Sequence, residues 1–169
     1  VTEGKNSNNA TYYSYGGYFV LANNIIATGE ENPFSAPSMG SIGSGGHTTA
    51  DAGFHGTFDG QGYVVKGFKF DIGGIFGDIG NGAVIKNVAF EDCDAAWRNF
   101  TATTDEYARQ DGVGVLAANA SGNYLIENVY VELTGNGANA AALVGRSMKG
   151  GTVRNSVVIY NATGGWSMG

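Results

Sequence analysis

Several scarcities frame this chain. Cysteine occurs once in 169 residues, at Cys93, which excludes an internal disulfide and leaves the redox compartment open. Proline occurs twice, at Pro33 and Pro37. Charged residues make up only 14 %, and the 9 cationic side chains are outnumbered by 15 acidic ones, for a net charge of −6. A nucleic-acid partner would need a basic face, so that class is excluded. No apolar run reaches the ~18 residues of a membrane span, so no membrane insertion is expected. The opening Val1-Thr2-Glu3-Gly4-Lys5 lacks the apolar stretch of a signal peptide, as a mature secreted fragment also would.

Glycine is abundant instead, with 29 residues where the usual share is about 7 %. No collagen-like period accompanies it, so it points to many tight corners. The length suits one domain with a core of its own.

A short unit recurs along the chain. Val65-Lys66-Gly67-Phe68-Lys69-Phe70 returns as Ile85-Lys86-Asn87-Val88-Ala89-Phe90, as Ile126-Glu127-Asn128-Val129-Tyr130-Val131 and as Val153-Arg154-Asn155-Ser156-Val157-Val158. A second motif precedes three of the copies: Gly74-Ile75-Phe76-Gly77, Gly114-Val115-Leu116-Ala117 and Ala142-Leu143-Val144-Gly145. Strand-bearing repeats of about 20 residues predict a solenoid, in which each strand covers the apolar face of the next. The alignment predicts one inward column of Val65, Ile85, Ile126 and Val153, and another of Phe70, Phe90, Val131 and Val158. Lys66, Lys86, Glu127 and Arg154 form the charged outward column. Asn87, Asn128 and Asn155, with Gly67 in the first copy, occupy a corner that favours the left-handed backbone region. Their amides can bond to one another when stacked, so they read as a structural ladder.

Tyr18-Phe19-Val20-Leu21-Ala22-Asn23-Asn24-Ile25, Phe54-His55-Gly56-Thr57-Phe58-Asp59-Gly60-Gln61-Gly62-Tyr63, Gly74-Ile75-Phe76-Gly77 and Val84-Ile85-Lys86-Asn87-Val88 together resemble the GLUG-type repeats of bacterial surface proteins. The resemblance covers most of Tyr18 to Tyr160. It implies an all-β fold, a right-handed parallel β-helix of a few short rungs with a long side loop, of the pectate-lyase-like kind. It also implies a bacterial cell-surface, secreted or particle-surface setting, with an adhesion, carbohydrate-contact or spacer role. No catalytic residue carries over from it.

The expected organisation is an N-terminal arm or cap at 1–17, a repeat domain at 18–161 and a C-terminal stub at 162–169. Two excursions leave the repeat, at 27–53 and 93–111. The second brings Trp97, Arg98, Phe100 and Tyr107 together, and aromatic faces flanked by hydrogen-bonding groups suit sugar rings. These four are the ligand-binding candidates, and a glycan or a neighbouring domain or subunit is the expected partner. Packing of Trp97 and Phe100 against the repeat wall is the plainer reading of the same residues.

No cofactor is expected. Glu91, Asp92 and Asp94 form an acidic turn that could take a structural calcium, although EF-hand spacing is absent. His47, Asp51 and His55 lack the spacing of a zinc site. The alternative function is a fragment of a polysaccharide lyase or glycoside hydrolase. A hydrolase needs two carboxylates about 5–10 Å apart. Asp59, Asp71, Asp78 and Asp92 are the candidates, with Asp59 in a turn that reads as structural.

Overall fold

A computed structural model describes residues 3–5, 11–13, 16–27, 53–70, 74–95, 114–134 and 141–161. Among these residues all regular structure is β and no helix occurs. Most strands are short because glycine and asparagine corners cut the β-branched and aromatic segments, while two longer ones run through their corners as bends. Strands β1 (Glu3–Lys5) and β2 (Thr11–Tyr13) make a small antiparallel pair. Every other strand pairing is parallel.

The larger sheet runs in sequence order. β3 (Tyr18–Val20) lies beside β5 (Thr57–Asp59), then β9 (Val84–Ala95), β11 (Leu125–Thr134) and β13 (Thr152–Arg154). β4 (Ile25–Ile26) pairs with β6 (Val64–Lys66), which pairs with β9; β7 (Lys69–Phe70) also pairs with β9, and β14 (Val157–Tyr160) pairs with β11. The second sheet has the order β8 (Phe76–Ile79), β10 (Ala117–Ser121), β12 (Val144–Lys149). The fold is thus all-β with parallel sheets that are not closed on themselves.

The register agrees with the repeat alignment at its later copies and corrects it at the first. Ile126 stands beside Ile85 and Val153 beside Ile126, while Val131 stands beside Phe90 and Val158 beside Val131. Val65, however, pairs with Phe90, and Lys66 with Glu91. Phe58 and Asp59 take the places next to Ile85 and Lys86. Phe70 pairs with Ala95. The second motif slips too, since Phe76 pairs with Ala117 and Ala117 with Val144.

Two corners explain the first correction. Asn87, Asn128 and Asn155 have φ of 55°, 53° and 50°, which bends β9 and β11 and separates β13 from β14. A second left-handed corner lies at Asp92, φ 51°, and at Gly67, φ 77°, whose N–H donates to the Glu91 carbonyl at 3.0 Å. Gly67 therefore belongs with Asp92 and not with the asparagines. The β11 strand skips that residue, and its register to β9 shifts between Val131 and Leu133, the signature of a bulge.

The core lies between the two sheets. At its N-terminal side Phe54 sits 4.8 Å from the Phe76 ring and 5.9 Å from Phe19, while Phe58 meets Phe76 edge-on at 5.6 Å. Further along, Ile85, Phe90, Leu116, Ile126, Val131 and Leu133 are fully buried. Strands β8 and β10 of the second sheet are buried on both faces, since successive residues Phe76–Ile79 and Ala117–Ala120 are all enclosed, whereas β12 is exposed from Gly145 to Ser147. Cys93 is enclosed as well, and burial pushes its thiol up to about 12. Val153 and Val158, expected to point into the core, are instead exposed on the last strands of the sheet.

Candidate functional site

The densest polar constellation centres on Asp59, at the end of β5 just before the turn at Gly60. An Asp two residues ahead of a turn amide closes an Asx turn, and here the Gln61 N–H donates to Asp59 Oδ1 at 3.0 Å. The same oxygen accepts from Asn87 Nδ2 at 3.0 Å. The other oxygen accepts from the Tyr18 hydroxyl at 3.0 Å and faces Lys86 Nζ at 3.3 Å. The parallel register brings these groups together, since β3, β5 and β9 place Val20, Asp59 and Lys86 in one row. Lys86 Nζ also lies 6.0 Å from the centre of the Tyr18 ring, within cation–π range.

Burial by itself would raise the Asp59 pKa, but the Asn87, Gln61 and Tyr18 hydrogen bonds and the Lys86 ammonium outweigh it. They hold this carboxyl well below the usual carboxylate range. The bond to Asp59 in turn raises the Tyr18 hydroxyl, with desolvation and the carboxylate charge adding to it. A carboxyl whose two oxygens are occupied, and whose pKa lies far under neutral, is a poor proton acceptor at pH 7. Its chemistry is anchoring.

Asp59 is the foot of a ladder. Asn128 Nδ2 donates to Asn87 Oδ1 at 2.9 Å, and Asn87 Nδ2 donates on to Asp59. A second step of the same kind lies in the other sheet, where buried Asn119 Nδ2 donates to buried Asp78 Oδ1 at 2.8 Å. Asparagines also cap the neighbouring strand's backbone: Asn24 Oδ1 accepts from the Val64 N–H at 2.9 Å, and Asn81 Oδ1 from the Asn123 N–H at 2.8 Å. Carboxamides suit this use because each offers both a donor and an acceptor.

Asn128 separates two contributions cleanly. Asn128→Gly keeps the left-handed corner but removes the amide, and should cost about 1 kcal/mol. Asn128→Leu loses the amide and must also hold φ 53°, and should cost about 1 kcal/mol more. Urea midpoints of the two variants check this; equal losses would mean that the corner conformation carries no penalty.

Of the carboxylates considered for hydrolysis, Asp59 and Asp78 are committed to these bonds, on different sheets. Asp92 is exposed and accepts from the Thr134 hydroxyl at 3.2 Å, and Asp71 lies outside the described residues. Glu91 pairs with Lys66 at 3.6 Å. Among the described residues no group of three or more His, Cys, Asp or Glu side chains is placed to hold a metal ion. His55 is exposed with Nδ1 3.0 Å from the Gly53 carbonyl oxygen, while His47 and Asp51 lie outside the described residues. So do Trp97, Arg98, Phe100 and Tyr107, the four ligand candidates of the 93–111 excursion.

Two open grooves follow the corners. One, of about 210 Å³, runs along Asn87, Asn128, Asn155, Tyr130 and Val157. The other, of about 320 Å³, is lined by Asn123, Tyr124, Gly151, Thr152 and Arg154. In the second the Tyr124 hydroxyl is 3.0 Å from Ser147 Oγ, and its ring is buried, so no aromatic face is left for a ligand to stack on.

The sequence marks the asparagine column but not Tyr18 and Lys86 as partners of Asp59, nor the Asp78–Asn119 step. The Asp59-Gly60-Gln61 turn was the available signal for the first. Nothing local marks the second, because its partners are far apart in sequence. No family model, curated protein or solved structure matches this chain.

Proposed function

We propose that the chain is a non-catalytic module of a bacterial surface, secreted or particle-surface protein, with a right-handed parallel β-helix as its architecture and rigid spacing as its role. The observation that carries this reading is where the polar side chains go. Asp59, Asn87 and Asn128, and Asp78 and Asn119, each bond to the strand above or below. Such bonds stiffen a stack and leave those groups unavailable to a substrate. The in-order parallel register and the repeat resemblance support the helical winding. Adhesion through a glycan is the companion role, and it rests on Trp97, Arg98, Phe100 and Tyr107.

The test is incubation of the full chain with acidic and neutral polysaccharides, beside a glycan array read with the chain and with a Trp97→Ala, Tyr107→Ala variant. The spacer reading predicts no new reducing ends, no unsaturated products and no retained glycan. Retention lost in the variant would move the role to adhesion, and any cleavage product would sink the non-catalytic reading.

A further inference from the structure

The groove of about 210 Å³ along the asparagine corners opens on the face of the larger sheet and not at its edge. It crosses β9, β11 and the corner between β13 and β14. A further strand of this chain would lengthen it and not cover it. One wall comes from a single register row. Ala89, Tyr130 and Val157 stand side by side and alternate with buried Phe90 and Val131, so they point outward. Ala89 is too small to cover the Tyr130 ring, which stays half-buried.

The other wall is a line of carboxamides. Asn87, Asn128 and Asn155 sit at the corners of successive strands, about 4.8 Å apart. The ladder that joins Asn128 to Asn87 does not extend to Asn155. Ser156 ties that rung in its place: its Oγ accepts from the Val129 N–H at 3.2 Å and donates to the Arg154 carbonyl at 2.9 Å. Asn155 is exposed, and neither its carboxamide nor the Tyr130 hydroxyl has a hydrogen-bond partner among the described residues. No charged residue lines the groove, so nothing in it selects an ion.

We propose that this groove is a binding site for a neutral glycan, with a sugar ring against Tyr130 and its hydroxyls bonded to Asn128, Asn155 and the Tyr130 hydroxyl. Sugar hydroxyls donate and accept, as carboxamides and the phenol do. An extended peptide fits less well, because β9, β11 and β14 already spend their backbone groups on one another. The inference goes beyond the spacer reading and does not need it. An open groove of this size binds near the millimolar range, too weakly for retention on a washed array.

The test is an NMR titration of the isotope-labelled full chain with neutral oligosaccharides of glucose, mannose and xylose, each to about 10 mM. At least one should give saturable shifts centred on the backbone and side-chain amides of Asn128, Tyr130 and Asn155. The oligosaccharide of galacturonic acid should bind more weakly, having no cation to meet. Asn155→Gly keeps the corner conformation and should weaken binding about fivefold; Tyr130→Ala should weaken it about tenfold. Should Tyr130→Ala not fold, Asn155→Gly and the site of the shifts decide the matter. No shifts from any of the three, or shifts centred instead on Trp97 and Tyr107, would overturn the proposal while leaving the spacer reading intact. Shifts at the groove from an uncharged peptide of alternating threonine and valine, with none from the sugars, would overturn it in favour of a peptide. Cleavage of a sugar that still shifts Tyr130 and Asn155 would sink the non-catalytic reading and support this one.

Discussion

Phe76→Ala is expected to lower the unfolding free energy by about 3–5 kcal/mol, the range for emptying a buried aromatic site. Phe76 is 0 % exposed and stands on the second sheet, yet its ring meets Phe54 at 4.8 Å and Phe58, on the first sheet, at 5.6 Å. Truncation therefore opens a cavity at the contact that joins the sheets, and backbone pairing leaves little room for collapse. Ile26→Ala is the natural control, because Ile26 is 60 % exposed and should cost under about 0.5 kcal/mol. Urea unfolding with an unchanged m-value checks both. A Phe76→Ala loss below about 1 kcal/mol would mean that the aromatic cluster does not hold the sheets together.

Asp59→Ala should cost about 2 kcal/mol, the range for hydrogen bonds to a buried charged group, because Lys86 is about a third exposed and is left facing water. The substitution strips the acceptor from Tyr18, Asn87 and the Gln61 amide at once and leaves Lys86 without its carboxylate. Asp59→Asn refines the test by keeping an acceptor while removing the charge. The folded pKa of Asp59 is depressed, so its ionised form stabilises the fold above the unfolded carboxyl value of about 4. That contribution falls away as pH drops towards the folded pKa. The stability gap between the wild type and Asp59→Asn should be constant near neutrality and narrow between about pH 4 and pH 2. A gap independent of pH would mean that Asp59 titrates like a free carboxyl.

Much of the larger sheet could be read from the amino acids. Ile85, Ile126 and Val153 share a column because an apolar residue, a charge and an asparagine recur together, and the asparagine answers to one corner conformation. The first copy misled for a physical reason. Strand β9 has two left-handed corners, at Asn87 and at Asp92, and Val65-Lys66-Gly67 shows the apolar–charged–corner pattern beside the second of them. Alternation alone cannot say which corner a strand approaches. The true counterpart, Phe58-Asp59-Gly60, shows the same apolar–charged–glycine order as Val65-Lys66-Gly67, so the pattern does not choose between the two segments. In the second sheet the difficulty is different. Val115, Leu116 and Ala117 are all 0 % exposed, and a strand buried on both faces has no inward–outward alternation to fix its register. The one-residue slip of Phe76 against Ala117 follows from that.

The candidate site was legible only in part because it is made of long-range pairs. Asp59 meets Tyr18 and Asn87 from positions 41 and 28 residues away. An Asp before Gly signals a turn, but only the register reveals that the turn is the foot of an amide ladder.

The register is the claim on which the ladder and the groove beside it both depend. Backbone NOEs from an isotope-labelled sample of this 17.5 kDa chain test it directly. The account predicts contacts linking Val65 to Phe90, Phe58 to Ile85 and Ile85 to Ile126. Contacts from Val65 to Ile85, with those to Phe90 absent, would contradict it.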